Sequence, residues 1–345
     1  MKPAARRTAF RIQLGDAIAS STAGESTRQL LQLQVELDMD GPVAHCIIEL
    51  AEGTPPATGD AVEVKLDAGS GPNAVFTGKV AAVEAGTVGL RVLAHGAFTR
   101  LGQTEVEGSY ENVSADFIIK DLIGKAGATA GTLAKGPTLA FWTLHRGPTA
   151  LGHLRSLAAL CGAGLFADGK GAIHCTTPQP GGTEHRFAFG ETVIELAIRQ
   201  CPPAFDSVEV WGEGAASAKG ADRAHWLSTE LSGVSAKACI TPDGQVQPGK
   251  LGERPLRLRD GALRSGEAVE AVAKAWASEV AARLLRGSME VFATPAILPG
   301  DRVEITGLPD EHPAAALLGD GQQLHVRGVR HRLDRQRGAL TRLSF

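Results

Sequence analysis

Alternating apolar and polar residues predict β-strands at both ends of this chain. In the N-terminal part, the pattern predicts about six strands over residues 10–93, joined by short turns. A period of two is typical of a strand that buries one face, and closely spaced strands are typical of a small barrel or sandwich. Near the C-terminus, Pro299-Gly300-Asp301 predicts a turn that leads into an alternating strand at residues 302–306.

The two β-rich ends share a phrase in which a Gly-Asp turn opens a strand. Residues 59–64 read GDAVEV, and residues 300–305 read GDRVEI. Two further strands follow each phrase in the same order, at residues 75–80 and 88–93 in the first copy and at residues 324–329 and 340–345 in the second. A Gly-Asp turn is a common strand opening, so coincidence and duplication are both open interpretations. Because three strands match in order, we treat duplication as the working hypothesis.

Between these ends the pattern changes from strand to helix. Ser114 is a good N-cap for an amphipathic helix that ends near Gly124, and Pro148-Thr149 opens a second helix that ends near Gly162. A hairpin over residues 165–175 follows, with its turn at an Asp-Gly sequence. These signals predict a small α+β unit in the middle of the chain.

We therefore predict three domains: a β-domain at residues 1–108, an α+β domain at residues 109–200 and a second β-domain at residues 201–345. The weak pattern over residues 212–265 predicts a long extended excursion. Residues 266–287 carry the strongest helical periodicity, and a helix of this length is expected to lie across a small β-domain.

Composition narrows the function classes. The chain has 345 residues, of which 43% are hydrophobic and 21% charged, and its net charge of −3 provides no global basic field for nucleic acid. The five cysteines contain no Cys-x-x-Cys pair, so a disulfide framework or a zinc knuckle is not expected. The sequence has no signal-peptide pattern and no apolar stretch of membrane-spanning length, so we expect assembly in the cytoplasm without a membrane anchor.

Motifs for nucleotide chemistry are incomplete. Gly78-Lys79 is followed by valine where a P-loop requires Ser or Thr, and Gly212-Glu213-Gly214 lacks the last glycine of a dinucleotide-binding loop. The sequence contains no Gly-x-Ser-x-Gly, His-Glu-x-x-His or Ser-x-x-Lys motif.

Single residues that could carry chemistry have structural interpretations. His325 and His331 lie too far apart along one strand to share a metal ion, and Asp60 and Asp301 are expected to accept hydrogen bonds within their turns. A cluster of C-terminal arginines is expected to form a solvated face, with a weaker possibility of an acidic partner; it comprises Arg327, Arg330, Arg332, Arg335, Arg337 and Arg342. We predict no catalytic residue, no cofactor site and no metal site.

The order of segments over residues 28–345 resembles the baseplate hub family of contractile injection machines. This family includes the phage late control gene D proteins and the hub portion of the VgrG spike proteins. The segments that carry the resemblance are VFTGKVAAVEAGTVGLRVLAHG (75–96), SADFIIKDLIGKAG (114–127), PTALGHLRSLAALCGAGLFADGKGAIHC (148–175), FDSVEVWGEG (205–214), the predicted helix (266–287), PAILPGDRVEITG (295–307) and LHVRGVRHRLDRQRGALTRLSF (324–345).

The resemblance implies a β-rich α+β fold with two tail-tube-like β-barrels, an inserted α+β domain and a long amphipathic helix packed on the second barrel. It also implies a homotrimer whose six barrels form a ring around a central channel. Such a hub would be a structural protein, not an enzyme, in a virion tail or injection particle. Its implied partners are a tail tube or tube-initiator protein, a spike protein and baseplate wedge proteins, with no specific nucleic-acid binding.

Two alternatives stay open at this stage. One is an enzyme carried by the tail, such as a cell-wall hydrolase, for which a cleft with paired carboxylates and a raised pKa would be the sign. The other is an unrelated β-rich cytosolic binding protein. Since the sequence ends at Phe345, just after the last predicted strand, a hub of this kind is expected to need a separate spike protein. The pattern does not distinguish a phage from a bacteriocin or a secretion system.

Overall fold

A computed structural model describes residues 8–41, 43–178, 182–213, 234–319 and 323–345. The N-terminal part consists of strands, as the alternation predicts. Their bounds are β1 (Ala9–Leu14), β2 (Ala17–Ser20), β3 (Leu30–Asp38), β4 (Val43–Leu50), β5 (Ala61–Asp67), β6 (Asn73–Gly86) and β7 (Gly89–His95). Strand β3 shows the principle: Leu33, Val35 and Leu37 are at most 1% exposed, and the residues between them are more exposed.

The middle of the chain combines helices and short strands. Its elements are α1 (Phe98–Gln103), β8 (Gly108–Ser114), α2 (Ala115–Lys125), β9 (Thr129–Leu133), β10 (Thr138–Leu144), α3 (Ala150–Leu160), β11 (Gly164–Ala167) and β12 (Ala172–Thr176). The two predicted helices and the hairpin are confirmed, because α2 begins after Ser114, α3 begins after Thr149, and β11 pairs antiparallel with β12. The sequence pattern did not predict α1 or the pairing of β8 with β10.

The C-terminal part returns to strands. Its elements are β13 (Glu184–Ala188), β14 (Val193–Gln200), β15 (Ser207–Gly212), β16 (Ser235–Ile240), β17 (Val246–Pro248), β18 (Pro255–Asp260), α4 (Gly266–Ala282), β19 (Leu285–Phe292), β20 (Arg302–Thr306), α5 (Pro313–Leu318), β21 (Leu324–His325), β22 (Gly328–Asp334) and β23 (Gly338–Ser344). No helix in the described ranges is both long enough and apolar enough to cross a membrane.

One sheet of eleven strands joins the two ends of the chain. Its order is β14-β19-β23-β22-β3-β4-β7-β6-β5-β1-β2, and every neighbouring pair is antiparallel. The two ends meet where β22 pairs with β3. Strands β13 and β14 precede residue 201, yet they pair with β20 and β19, which lie near the C-terminus.

The predicted extended excursion at residues 212–265 is wrong for the residues that the structure describes there. Strands β16, β17 and β18 lie within this range and form a four-stranded sheet with β15. Residues 214–233 lie outside the described part of the chain. The short strands were not predicted because glycine, proline and alanine weaken the alternation of apolar and polar residues. In addition, the core positions 236 and 238 are occupied by alanine, whose small side chain gives a weak apolar signal.

The predicted helix at residues 266–287 is shorter and lies elsewhere than expected. Helix α4 ends at Ala282, and residues 285–292 form β19, which lies between β14 and β23 in the large sheet. The periodicity continued past the true end because Leu285 is also apolar, but its side chain is buried as part of a strand. The buried face of α4 contacts β15, β16 and β17, so the helix packs mainly on the four-stranded sheet.

Candidate functional site

The strands of the two ends pair in the same order. In the N-terminal copy β3 pairs with β4, β4 with β7, β7 with β6 and β6 with β5. In the C-terminal copy β14 pairs with β19, β19 with β23 and β23 with β22, while β20 pairs with β21, just before β22 in the chain. The first strand of each copy even has a register shift at the same point, between Leu30 and Gln32 in β3 and between Val193 and Glu195 in β14.

The repeated Gly-Asp phrase builds the same turn in both copies. Gly59 and Gly300 have φ angles of +95° and +93°, a backbone conformation that favours glycine. The N–H of Gly59 donates to the carbonyl of Val80, and the N–H of Gly300 donates to the carbonyl of Val326, both at 2.8 Å. Each valine in turn donates its N–H to the carbonyl of the aspartate that follows the glycine, at 2.9 Å in both copies. The duplication proposed from sequence is therefore present in the hydrogen bonding.

These bonds correct the alignment of the two copies. The sequence match placed Val80 against Val329, but the hydrogen bonds place Val80 against Val326, three residues earlier. The mistake has a simple physical origin. Alternating strands resemble one another at many offsets, so a match of apolar and polar positions alone does not fix their alignment.

The last strand of each copy needs a one-residue correction. Arg91 in β7 lies opposite Glu49, and Arg342 in β23 lies opposite Glu290. Both glutamates face the first residue after the shared register shift, so Arg91 is equivalent to Arg342. The sequence match had paired Arg91 with Leu343.

The two turn aspartates make one common contact and differ in the rest. Asp60 Oδ2 accepts the N–H of Ala57 at 2.8 Å, and Asp301 Oδ2 accepts the N–H of Leu298 at 2.9 Å. Asp301 also accepts the N–H of Thr183 at 3.1 Å through Oδ1, and its Oδ2 lies 3.0 Å from Nε2 of His185. Both aspartates thus have the structural role predicted for them, but only Asp301, which is 8% exposed, ties its turn to β13.

We expect Asp301→Ala to cost roughly 2–4 kcal/mol of unfolding free energy and Asp60→Ala about 1 kcal/mol or less, because only the first removes a buried carboxylate together with several of its hydrogen bonds. The two variants form a matched pair in equivalent turns. Urea unfolding at one fixed protein concentration measures both. Equal losses for the two variants would contradict the assignment of the additional bonds to Asp301.

The junction between the copies is held by a charged pair. Arg330 in β22 lies directly opposite Glu36 in β3, with Nε to Oε2 at 3.2 Å and a second guanidinium nitrogen to Oε1 at 3.1 Å. Nε2 of His45 lies 3.6 Å from the same carboxylate. This two-pronged contact fixes the register of the strands that unite the two halves of the chain.

Arg327 lies just before this junction. The sequence pattern had placed it on a solvated face, and for this residue that prediction is wrong. Arg327 is 5% exposed, and its guanidinium lies 2.6 Å from Asp40 and 3.1 Å from Glu279 of α4. Arg283 bonds to both of these carboxylates as well. Although burial pushes the pKa of Asp40 upward, the hydrogen bond and charge of Arg327, with those of Arg283, hold it below its usual value. Residues 287 positions apart are thus linked, which no local pattern could indicate.

Of the two histidines considered as metal ligands, His331 is buried and His325 is partly buried. His331 is 1% exposed, and its Nδ1 lies 3.0 Å from the hydroxyl of Thr341. Burial lowers its pKa to about 4. Burial lowers the pKa of His325 to about 4 as well, with a further contribution from the charge of Arg327. Across the described residues there is no group of three or more His, Cys, Asp or Glu side chains that could hold a metal ion.

Two carboxylates line a cavity of about 730 Å³ that lies between α3 and α4; they belong to Asp40 and Glu279. Both are ion-paired with Arg283 and Arg327, which line the same cavity. Where the pKa of a described Asp or Glu is clearly shifted, it is lowered; these residues are Asp40, Asp121, Asp168, Glu184, Asp206, Glu209 and Asp334. A glycosidase needs one carboxyl group with a raised pKa, and in the described ranges none has been found.

The fold is similar to those of solved tail proteins. The tail protein from Neisseria meningitidis MC58 superposes with a TM-score of 0.66 at 15% sequence identity, over 98% of this chain and 96% of that chain. The 43 kDa tail protein of prophage MuSo2 from Shewanella oneidensis gives a TM-score of 0.66 at 14% identity, over 98% of this chain and 97% of that one. No protein-family model and no curated protein sequence matches the chain.

A third structure comes from a secretion machine. The Escherichia coli c3393 protein, a component of the type VI secretion system with structural similarity to the bacteriophage T4 tail proteins gp27 and gp5, gives a TM-score of 0.55 at 10% identity. The match covers 96% of this chain and 75% of that chain. This chain therefore has a β-rich fold that is similar to those of phage tail proteins and of a type VI secretion component.

Proposed function

We propose that this chain is the structural baseplate hub of a contractile phage tail or a phage-like injection particle. Three copies would form a ring with a central channel, and that ring would join a hexameric tail tube to a trimeric spike. The chain acts through its shape and symmetry, without catalysing a reaction. Its further partners would be baseplate wedge proteins, and assembly would take place in the bacterial cytoplasm.

The observation that carries this proposal is the duplicated sheet. One chain contains two copies of the same pairing order, fused edge to edge through β22 and β3. Three chains related by a threefold axis then present six similar units, which is the number that a hexameric tube requires. The same three chains present three copies of everything that is not duplicated, which is the number that a trimeric spike requires.

The similarity of the fold to those of solved tail proteins is a second, independent support for the hub assignment. Tail proteins of two bacteria share the fold over nearly the whole chain, and a type VI secretion component shares it at lower similarity. We propose that each copy of the repeat is a tail-tube-like unit, with the α+β elements between them widening the ring on the spike side. The non-duplicated sheet of β15 to β18, with α4, would also lie outside the repeated ring.

The solution mass of the purified chain tests this proposal. With 35.9 kDa per chain, we expect sedimentation equilibrium to give a species of three chains at micromolar or higher concentration. A tail component isolated from its neighbours can dissociate on dilution, so the series should extend to the highest soluble concentration. A chain that stays monomeric throughout the series would contradict the trimeric hub.

A further inference from the structure

In the described part of the chain, the second half of β6 and the outer edge of β14 have no strand partner. Strand β6 pairs with β5 only as far as Lys79, so residues 81–86 have β7 on one side and no strand on the other. Strand β14 ends the sheet, with β19 on one side and only an isolated bridge from Phe189 to Val193 on the other. Long exposed edges of this kind are normally covered, because their free N–H and C=O groups recruit other strands.

These two edges are the counterparts of the two strands that already pair inside the chain. Strand β22 of the C-terminal copy is equivalent to the second half of β6, and β3 of the N-terminal copy is equivalent to β14. In the chain, β22 pairs antiparallel with β3. The opposite combination, β6 with β14, would repeat this junction, but within one chain six strands of the same sheet separate β14 from β6.

The register of the missing junction follows from the internal one. Glu84 lies opposite Arg91, as Arg330 lies opposite Arg342, so Glu84 is the counterpart of Arg330. Glu36 stands four residues after Gln32, the first residue beyond the register shift of β3. Arg199 stands four residues after Glu195, the first residue beyond the same shift of β14, so Arg199 is the counterpart of Glu36. The internal pair Arg330–Glu36 therefore predicts a second pair, Glu84–Arg199.

Glu84 and Arg199 carry opposite charges, as Arg330 and Glu36 do. The acid and the base have exchanged strands, because the acid of the proposed pair lies on β6 and the base on β14. Within one chain neither residue is well satisfied. Glu84 is 75% exposed and lies 3.9 Å from Arg91. Arg199 is exposed and lies directly opposite Arg286 on β19, and like charges in this position repel each other. A carboxylate on the free side of β14 would neutralise this repulsion.

We propose that residues 82–86 of one copy pair antiparallel with β14 of a second copy, with Glu84 of one chain opposite Arg199 of the other. The contact uses different edges on the two partners, so it is head-to-tail and each copy has one of each edge. Alternating with the internal junction, it makes one continuous sheet around the assembly. The proposal rests on the proposed function only in requiring that the chain associate with copies of itself.

A charge exchange tests the pairing. Glu84→Arg places four arginines together at the junction, since Arg91 and Arg286 flank the proposed pair, and Arg199→Glu places two glutamates opposite each other. We therefore expect each variant to lower the association constant by at least tenfold. The double variant Glu84→Arg/Arg199→Glu restores opposite charges and is expected to regain the wild-type mass. Sedimentation equilibrium of the full chain over a concentration series measures all four proteins. Glu270→Arg, an exposed reversal on α4, is the matched control and should assemble like the wild type.

The outcomes separate this pairing from the hub itself. If both single variants assemble like the wild type, or if the double variant fails to recover, the pairing is wrong although an assembled wild type would still support the hub. If the wild type is itself monomeric at all concentrations, both proposals fail. Because both side chains are exposed, circular dichroism and thermal unfolding should show each variant folded, so that a loss of mass reports the junction.

Discussion

Replacing Arg327 with methionine is expected to lower the free energy of unfolding by about 3 kcal/mol. The guanidinium is buried and compensates Glu279, whose side chain is 12% exposed, as well as Asp40. Removing one partner of a buried ion pair leaves the other charge desolvated, which typically costs roughly 3–5 kcal/mol. Arg283 still contacts both carboxylates, so the lower end of that range applies. Urea unfolding at fixed protein concentration measures the loss.

A second substitution identifies the origin of this loss. In the double variant Arg327→Met/Glu279→Gln the buried carboxylate is neutral, so the double variant should be more stable than Arg327→Met alone. Asp40→Asn removes a carboxylate whose side chain is 50% exposed and should cost about 1 kcal/mol or less. A loss below about 1 kcal/mol for Arg327→Met would show that the network linking β3, β22 and α4 does not stabilise the junction.

Mild acid is expected to destabilise the fold through two histidines, of which His331 is buried and His325 is partly buried. In the folded chain the pKa values of His325 and His331 are about 4, against 6.5 for an unperturbed histidine. Between these values the unfolded chain binds protons that the folded chain does not bind. The contribution of each histidine is complete above about pH 6.5 and falls as the pH drops to about 4, by roughly 3 kcal/mol per residue. The shifted carboxylates have lowered pKa values, so their loss occurs at lower pH.

The dependence of stability on pH between 7 and 4 measures this effect. Near pH 5 the slope should correspond to about two additional protons taken up on unfolding. In His331→Gln, the amide keeps a polar partner for Thr341 but does not titrate in this range, so the slope should fall by about one proton. His145→Gln, on an exposed residue, is the control and should leave the slope unchanged. Unaltered stability from pH 7 to pH 4.5 would mean that the two histidines are solvated in the native protein.

Local signals in the sequence predicted much of the fold. Alternation located the strands of both ends, and the N-cap residues Ser114 and Thr149 located α2 and α3. The Gly-Asp phrase also led to the repeat, because a φ near +95° and an aspartate that accepts a backbone N–H are requirements that a sequence can display. These features depend on a few neighbouring residues.

The missed features depend on residues far apart in the chain. The pairing of β22 with β3 joins Arg330 to Glu36 across 294 positions, and the burial of Arg327 depends on Asp40, 287 positions away. The end of α4 was missed because Leu285 satisfies both a helical and a strand pattern, and tertiary pairing in the large sheet decided between them.

Electron microscopy of the purified chain tests the central claim most directly. If one chain supplies two equivalent units of a hub, averaged end-on views should show a ring of three chains with six similar inner densities around an open channel. Fitting the structure should place the β6 edge of each chain against β14 of the next. A ring whose inner wall shows only three densities, or single particles of one chain with two separate lobes, would contradict the account.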